Sequence, residues 1–234
     1  ANDFLSSGQC KLLSKYFESN RHDLIINLPK VTPQSTLPVH VSNLLSSINT
    51  RVNNIMAEHF KPRSNVKAVP WRVHFYRTGT SSSTLSNKWH YDFEVSRNCF
   101  FLIIYLNDAP GHGTLIYDYH TSKIISEEHG YLSVPNAYRA KSLNFYKDLQ
   151  GYVAPSMLTA STGKALLFSP SMCLHKGVIP LQELNEVVTT DRKILHMSFY
   201  LTDNKATIES CVDPTGGLLA NLENIAMPPF EAQQ

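Results

Sequence analysis

In the run NKWHYDFEV, residues 87–95, an imidazole and a carboxylate stand two residues apart as His90 and Asp92. The flanking residues are aromatic or β-branched and read as a strand, on which residues i and i+2 point to the same face. His90 and Asp92 therefore project together, with Tyr91 on the other side. One imidazole and one carboxylate are two-thirds of the 2-His-1-carboxylate set that grips Fe(II) on one side and leaves the remaining positions open. An ordinary half-polar strand carries the same pair, so the reading needs a third ligand. His175, in GKALLFSPSMCLHKGV, is the candidate. A Gly opens that apolar stretch and a His-x-Gly closes it, which puts His175 at a strand end near a barrel mouth. The alternative is a surface histidine in a turn. The other histidines offer less: His112 sits in the turn-like PGHGT, His22, His40 and His59 precede the strand-rich region, and His120 and His129 fall in an insert.

A second constellation lies in DRKILHMSFYLTD. Counted with period 2, Arg192, Ile194, His196, Ser198 and Tyr200 share one face, and Lys193, Leu195, Met197, Phe199 and Leu201 the other. The greasy face packs on a layer of apolar side chains. The first face carries a guanidinium that needs a partner, because a lone buried charge is costly. A bound carboxylate matches the guanidinium fork. An internal Asp or Glu, or placement at an exposed strand end, would satisfy it equally.

The elements that must hold these groups change character along the chain. In SSGQCKLLSKYFESN, Ser6 and Ser7 are candidate N-caps, and Leu12, Leu13, Tyr16 and Phe17 recur at helical spacing. SNLLSSINTRVNNIMAEHF carries an apolar stripe from Leu44 to Phe60, with Pro62 just beyond its end. From residue 71 the period becomes 2: WRVHFYR, CFFLIIYLND, GTLIYDYH, GYLSVP, GYVAPSMLTA, KALLFSP and KILHMSFYLT bring the strands to about eight, separated by turn residues. This pattern predicts a mainly β fold, an antiparallel barrel or jelly roll buttressed by N-terminal helices. It is read as a single domain over 1–234: a helical buttress at 1–66, a jelly-roll core at 71–203 and a C-terminal tail at 204–234.

The chain has 234 residues, 42% hydrophobic and 17% charged, enough for a substantial core. A formal charge of +2, from 21 basic and 19 acidic side chains, argues against a nucleic-acid or membrane surface. The longest apolar run, CFFLIIYL, is far short of a membrane span, and ANDFLSSGQC does not read as a signal peptide. Cys10, Cys99, Cys173 and Cys211 are scattered without a CxxC pair, which points to free thiols and a reducing, cytoplasmic setting. Cys99 and Cys173 stand in apolar contexts and read as buried.

In order, His-x-Asp, FLIIYLND, GTLIY, GKALLFSPSMCLHKG and RKILHMSFY resemble the Fe(II)/2-oxoglutarate-dependent dioxygenase superfamily over roughly residues 71–203. YLND followed by the GTL turn is similar to the prolyl-hydroxylase and phytanoyl-CoA-hydroxylase branches. The resemblance implies a double-stranded β-helix with His90, Asp92 and His175 as iron ligands, and Arg192 pairing the distal carboxylate of 2-oxoglutarate. It implies that Tyr105 hydrogen-bonds the same carboxylate and that Tyr76 lies on the cosubstrate side. Some members carry a Ser two residues after the Arg; here that position is Ile194, so Ser198 or His196 would supply the polar contact. LQELNEVVTT lengthens the gap between His175 and Arg192 beyond what is common. Halogenases of the superfamily have Ala or Gly at the carboxylate position; Asp92 favours hydroxylation or desaturation instead.

The implied cofactors are Fe(II), 2-oxoglutarate as cosubstrate and O2, with succinate and CO2 released. The substrate is expected to be a small molecule, such as an amino acid or natural-product intermediate, met by Arg72 and His74; a peptide or protein hydroxylase is the alternative. TSSSTLSNK, before the metal pair, reads as a lid, and NAYRAKSLNFYKDLQGY as a connector or an anion-recognising insert. Three competitors stand beside this reading. A cupin-like metal barrel would not need Arg192. A zinc hydrolase would use Glu94 as base. A binding module would lack the metal.

Overall fold

The computed structural model describes residues 3–19, 37–60, 67–78, 89–92, 99–128, 149, 151–179 and 192–201. The expected strand GYLSVP, the lid, most of the connecting insert, the tail, Cys211 and Glu94 lie outside the described residues.

Two helices precede the first strand: α1 (Ser7–Ser19) and α2 (Val39–Phe60). α1 begins with a capping box in which the Ser6 N–H donates to Gln9 Oε1 (2.9 Å) and the Gln9 N–H donates to Ser6 Oγ (3.2 Å). Among the described residues seven strands follow: β1 (Ala68–Thr78), β2 (Cys99–Tyr105), β3 (Gly113–Ile116), β4 (Ser156–Thr159), β5 (Ala165–Phe168), β6 (His175–Val178) and β7 (Arg192–Leu201). They form a four-stranded sheet, β1-β7-β2-β5, and a three-stranded sheet, β4-β3-β6. Every pairing is antiparallel.

The alternation read along β7 decides the layers. Leu195, Met197 and Phe199 pack with Phe100, Leu102 and Ile104 of β2 and Val73 of β1 against Cys10, Leu13 and Phe17 of α1 and Leu45, Ile48 and Val52 of α2. The helices thus cover the outer face of the larger sheet. The opposite face meets the smaller sheet: Ile116 of β3 packs with Phe168 and Phe101, and Leu158 of β4 with Tyr105 and Ile194. Asn53 of α2 fixes where β1 starts, accepting the Ala68 N–H and donating to the Ala68 carbonyl, both at 2.9 Å.

Two local expectations are corrected. GTLIYDYH is not one strand. Asp118 ends it by accepting the Thr121 N–H at 2.8 Å, and a helix, α3 (Tyr119–Glu128), follows where an insert was expected. His175 begins a strand of its own, β6, rather than closing the preceding one, which ends as β5 at Phe168. HKG resembles a turn in sequence, but its pairing with β3, Ile116 opposite His175 and Thr114 opposite Gly177, makes it a strand.

The expected burial of Cys99 and Cys173 is found; both are free and buried, as is Cys10. Burial pushes the Cys173 thiol up to about 12 and that of Cys10 to about 11.

Gly163 ties the N-terminus to the sheet. Its carbonyl accepts the N–H groups of Phe4 and Leu5, and its N–H donates to Tyr105 O at 2.8 Å. Its φ is +81°, and a Cβ there would stand 2.1 Å from the Leu5 carbonyl oxygen. Gly163→Ala is therefore expected to destabilise the fold by about 1–3 kcal/mol. For a chain of this size that lowers Tm by ~2–4 °C per kcal/mol in calorimetry, and an unchanged Tm would contradict the strain.

Candidate metal and carboxylate site

His90 and His175 form an isolated antiparallel bridge, closed by His90 N–H to His175 O (2.9 Å) and His175 N–H to His90 O (3.1 Å). Two backbone hydrogen bonds thus set the two imidazoles side by side, with ring centroids 4.3 Å apart. The Asp92 N–H donates to Pro170 O at 2.9 Å and holds the carboxylate on the same side. Trp89 and Tyr91, the odd members of the run, turn the other way into a cluster with Tyr117, Ile125, Leu149 and Leu174.

One ligand atom from each of His90, Asp92 and His175 lies within 4.8 Å of the other two. Asp92 Oδ1 is 3.9 Å from His90 Nε2, and Asp92 Oδ2 is 3.5 Å from His175 Nε2. Two ligands each about 2.0–2.2 Å from one ion stand at most about 4.4 Å apart, so both separations fit a shared metal. His175 Nδ1 is 2.9 Å from the Cys173 carbonyl. A carbonyl only accepts, so Nδ1 donates to it, which leaves Nε2 as the atom turned to Asp92 and the site. His175 is 6% exposed, which excludes the surface-turn alternative. Burial opposes the charged form of Asp92, but its hydrogen bond to His175 and the nearby His175, His90 and His196 outweigh that and hold its carboxyl below the ordinary value. The donor set, two imidazoles and one carboxylate, suits a divalent transition metal.

Arg192, the first residue of β7, reaches from the larger sheet towards β3 of the smaller one and is 5% exposed. Its Nη1 donates to Gly113 O at 3.1 Å. Burial lowers its pKa, partly offset by the neighbouring Tyr105. Tyr105 is fully buried, with its hydroxyl 2.7 Å from Thr114 Oγ1 across the two sheets, and burial raises its pKa. Gly113 permits this: a Cβ there would meet the Leu158 carbonyl at 2.5 Å, so only glycine lets β3 and β4 close up while presenting its own carbonyl to Arg192.

The remaining residues fall into a different group. His74, Tyr76 and His196 form a ring cluster on the inner face of β1 and β7. His74 Nδ1 is 2.7 Å from the Tyr76 hydroxyl, and the His196 ring lies 6.1 Å from His74 and 5.8 Å from Tyr76. His196 also meets Phe101 edge-on at 4.2 Å, and Phe168 contacts His175 at 4.8 Å. Tyr76 is half exposed, so the cluster opens to solvent. Ser198 is buried opposite Phe101. The backbone of Arg72 pairs with Ser198, and its side chain lies outside the described residues.

Thr114 was not singled out from the sequence, although its place two residues before Ile116, on the inward side of β3, is the signal that finds it. His112, read as a turn residue, does sit in a turn, yet it is buried.

No family model matches the chain, and no curated protein does. Solved structures similar to it include proteins described as non-heme Fe(II) alphaketoglutarate dependent dioxygenases. HygX from Streptomyces hygroscopicus with iron bound is 14% identical over 86% of this chain and 80% of that one, with a TM-score of 0.46. The Kdo hydroxylase KdoO, a non-heme Fe(II) alphaketoglutarate dependent dioxygenase in complex with cobalt(II), is 12% identical over 89% and 80%, with a TM-score of 0.43. A Pseudomonas putida prolyl-4-hydroxylase is 12% identical over 86% and 90%, with a TM-score of 0.42. All three TM-scores are below 0.5, so assignment of this chain rests on its own side chains. Among the described residues, no helix is long and apolar enough to cross a membrane.

Proposed function

We propose that the chain is a non-haem Fe(II)- and 2-oxoglutarate-dependent dioxygenase built on a jelly-roll barrel, hydroxylating a small molecule. The observation that carries this reading is the convergence of His90, Asp92 and His175 within one metal-ligand distance set, together with the burial of Arg192. His90, Asp92 and His175 would hold Fe(II). When bound, iron and 2-oxoglutarate supply an O2-dependent oxidation of the substrate coupled to decarboxylation of the cosubstrate to succinate and CO2.

The protein's own contribution is binding. Arg192 offers its guanidinium fork to the distal carboxylate of 2-oxoglutarate, and Tyr105 and Thr114 add hydroxyls beside it. Arg192 and His196 stand four positions apart on β7, about 13 Å of strand, and His196 is near enough to Asp92 to help hold its carboxyl down. Phe101, Phe168 and Ile116 pack together as an apolar patch between the two sheets. His74, Tyr76 and His196, on the solvent-facing side, are assigned to the prime substrate, with Ser198 behind them. Two imidazoles and a phenol favour a small polar molecule with hydrogen-bonding groups.

Adding Fe(II) to the metal-free protein with 2-oxoglutarate in air is expected to release succinate, slowly and without added substrate. Succinate formation that ignores Fe(II), or hydrolytic activity that appears with Zn(II) instead, would contradict the assignment.

A further inference from the structure

The residue between the two ligands of the HxD pair and the residue before the third ligand are both tied to one serine on α3. The Tyr91 hydroxyl donates to the Ser122 carbonyl at 2.7 Å and lies 2.6 Å from Ser126 Oγ. Ser122 Oγ accepts the Leu174 N–H at 2.9 Å and donates to the Tyr117 carbonyl at 3.3 Å. Leu174 O in turn accepts the Tyr117 N–H at 2.9 Å. Ser122 is fully buried. α3 is itself anchored at its start by Asp118, and its Ile125 packs in the cluster that receives Trp89, Leu174 and the Tyr91 ring.

We infer that Ser122 and Tyr91 are positioning residues for the metal site: α3 clasps the His90–Asp92 segment and the His175 segment through a single buried hydrogen-bond node. The inference rests on the proposal that His90, Asp92 and His175 bind a metal. The geometry explains why a tyrosine, rather than any apolar residue, stands between the two ligands. Its ring fills the cluster behind the site while its hydroxyl reaches the helix. Ser122 uses its carbonyl for one ligand segment and its hydroxyl for the other, so rotation of either segment disturbs the shared node. The His90–His175 backbone bridge fixes the spacing of the two segments, and the Ser122 node fixes their tilt. Outer-shell groups that orient metal ligands typically change metal affinity by about 10–100-fold when removed.

The test is Co(II) binding by the full-length, metal-free protein, followed by the visible absorption of the bound ion and carried out well below Tm. Tyr91→Phe keeps the ring and loses the hydroxyl. Ser122→Ala loses both side-chain hydrogen bonds of the node. Each is expected to weaken Co(II) binding by about 10–100-fold. Leu13→Ala, in the core on the far side of the larger sheet, controls for general destabilisation: it is expected to lower Tm and leave Co(II) affinity unchanged. If Ser122→Ala does not fold, Tyr91→Phe decides. Co(II) affinity within twofold of wild type in Tyr91→Phe overturns the clasp and leaves the metal site standing. A wild-type protein that binds no Co(II) overturns the metal reading, and this inference with it.

Discussion

His175→Ala is expected to abolish iron-dependent turnover while the protein remains folded. The bonds that join residue 175 to residue 90 run through backbone N–H and C=O groups, so the alanine variant keeps the bridge. What it loses is the Nε2 that faces Asp92 at 3.5 Å. On the proposed assignment this removes one of three ligands, and it should weaken Fe(II) binding by more than the ~10–100-fold typical of an outer-shell change. A second readout follows from charge. In the wild type, burial pushes the Asp92 carboxyl up, while His175 is the strongest influence holding it down. Without His175, the metal-free carboxyl should titrate at a higher pH than in wild type, as carboxyl-carbon NMR would record. Retained turnover with an unchanged Asp92 titration would remove His175 from the site.

Arg192→Ala is expected to raise the KM for 2-oxoglutarate by ~30-fold to several thousand-fold and to leave Fe(II) affinity nearly unchanged. The range follows from about 2–5 kcal/mol for truncating one partner of a buried, hydrogen-bonded charge pair, at about 1.4 kcal/mol per tenfold. Arg192 and the metal ligands approach the interior from different strands, β7 on one sheet and β6 with the His90 bridge on the other, so the two affinities should separate. Arg192→Lys should fall between, because it keeps the charge and loses the planar fork. An unchanged cosubstrate requirement would make Arg192 a structural residue that serves Gly113 and β3.

Much of the site's layout was legible because strand periodicity is exact in a way that loop geometry is not. The i, i+2 rule placed His90 and Asp92 together and Tyr91 behind them, and the same counting separated the two faces of β7. Both separations appear in the structure: Tyr91 lies in the rear cluster, and Leu195, Met197 and Phe199 lie under the helices. Ser6 as a cap was legible because capping is local. What escaped was decided by tertiary pairing. HKG has the composition of a turn and becomes a strand only because β3 lies beside it. YDYH alternates like a strand, and only the Asp118 cap turns it into the start of α3. The same local blindness concealed Ser122: a serine in a helical insert has no sequence mark of importance, and its two ties, to residues 31 and 52 positions away, exist only in the folded chain. Tyr76 and His196, placed on the cosubstrate side by resemblance, lie in contact with one another and with His74.

The central claim, that the space between the two sheets holds Fe(II) and 2-oxoglutarate together, is tested most directly by anaerobic absorption spectroscopy. Fe(II) is added to the metal-free protein, then 2-oxoglutarate, and the weak visible metal-to-ligand charge-transfer band is followed. The account predicts a band that requires both additions, is absent in His90→Ala and needs far more 2-oxoglutarate to appear in Arg192→Ala. Iron that binds without any band on addition of 2-oxoglutarate would contradict it and leave a metal-binding protein of a different chemistry.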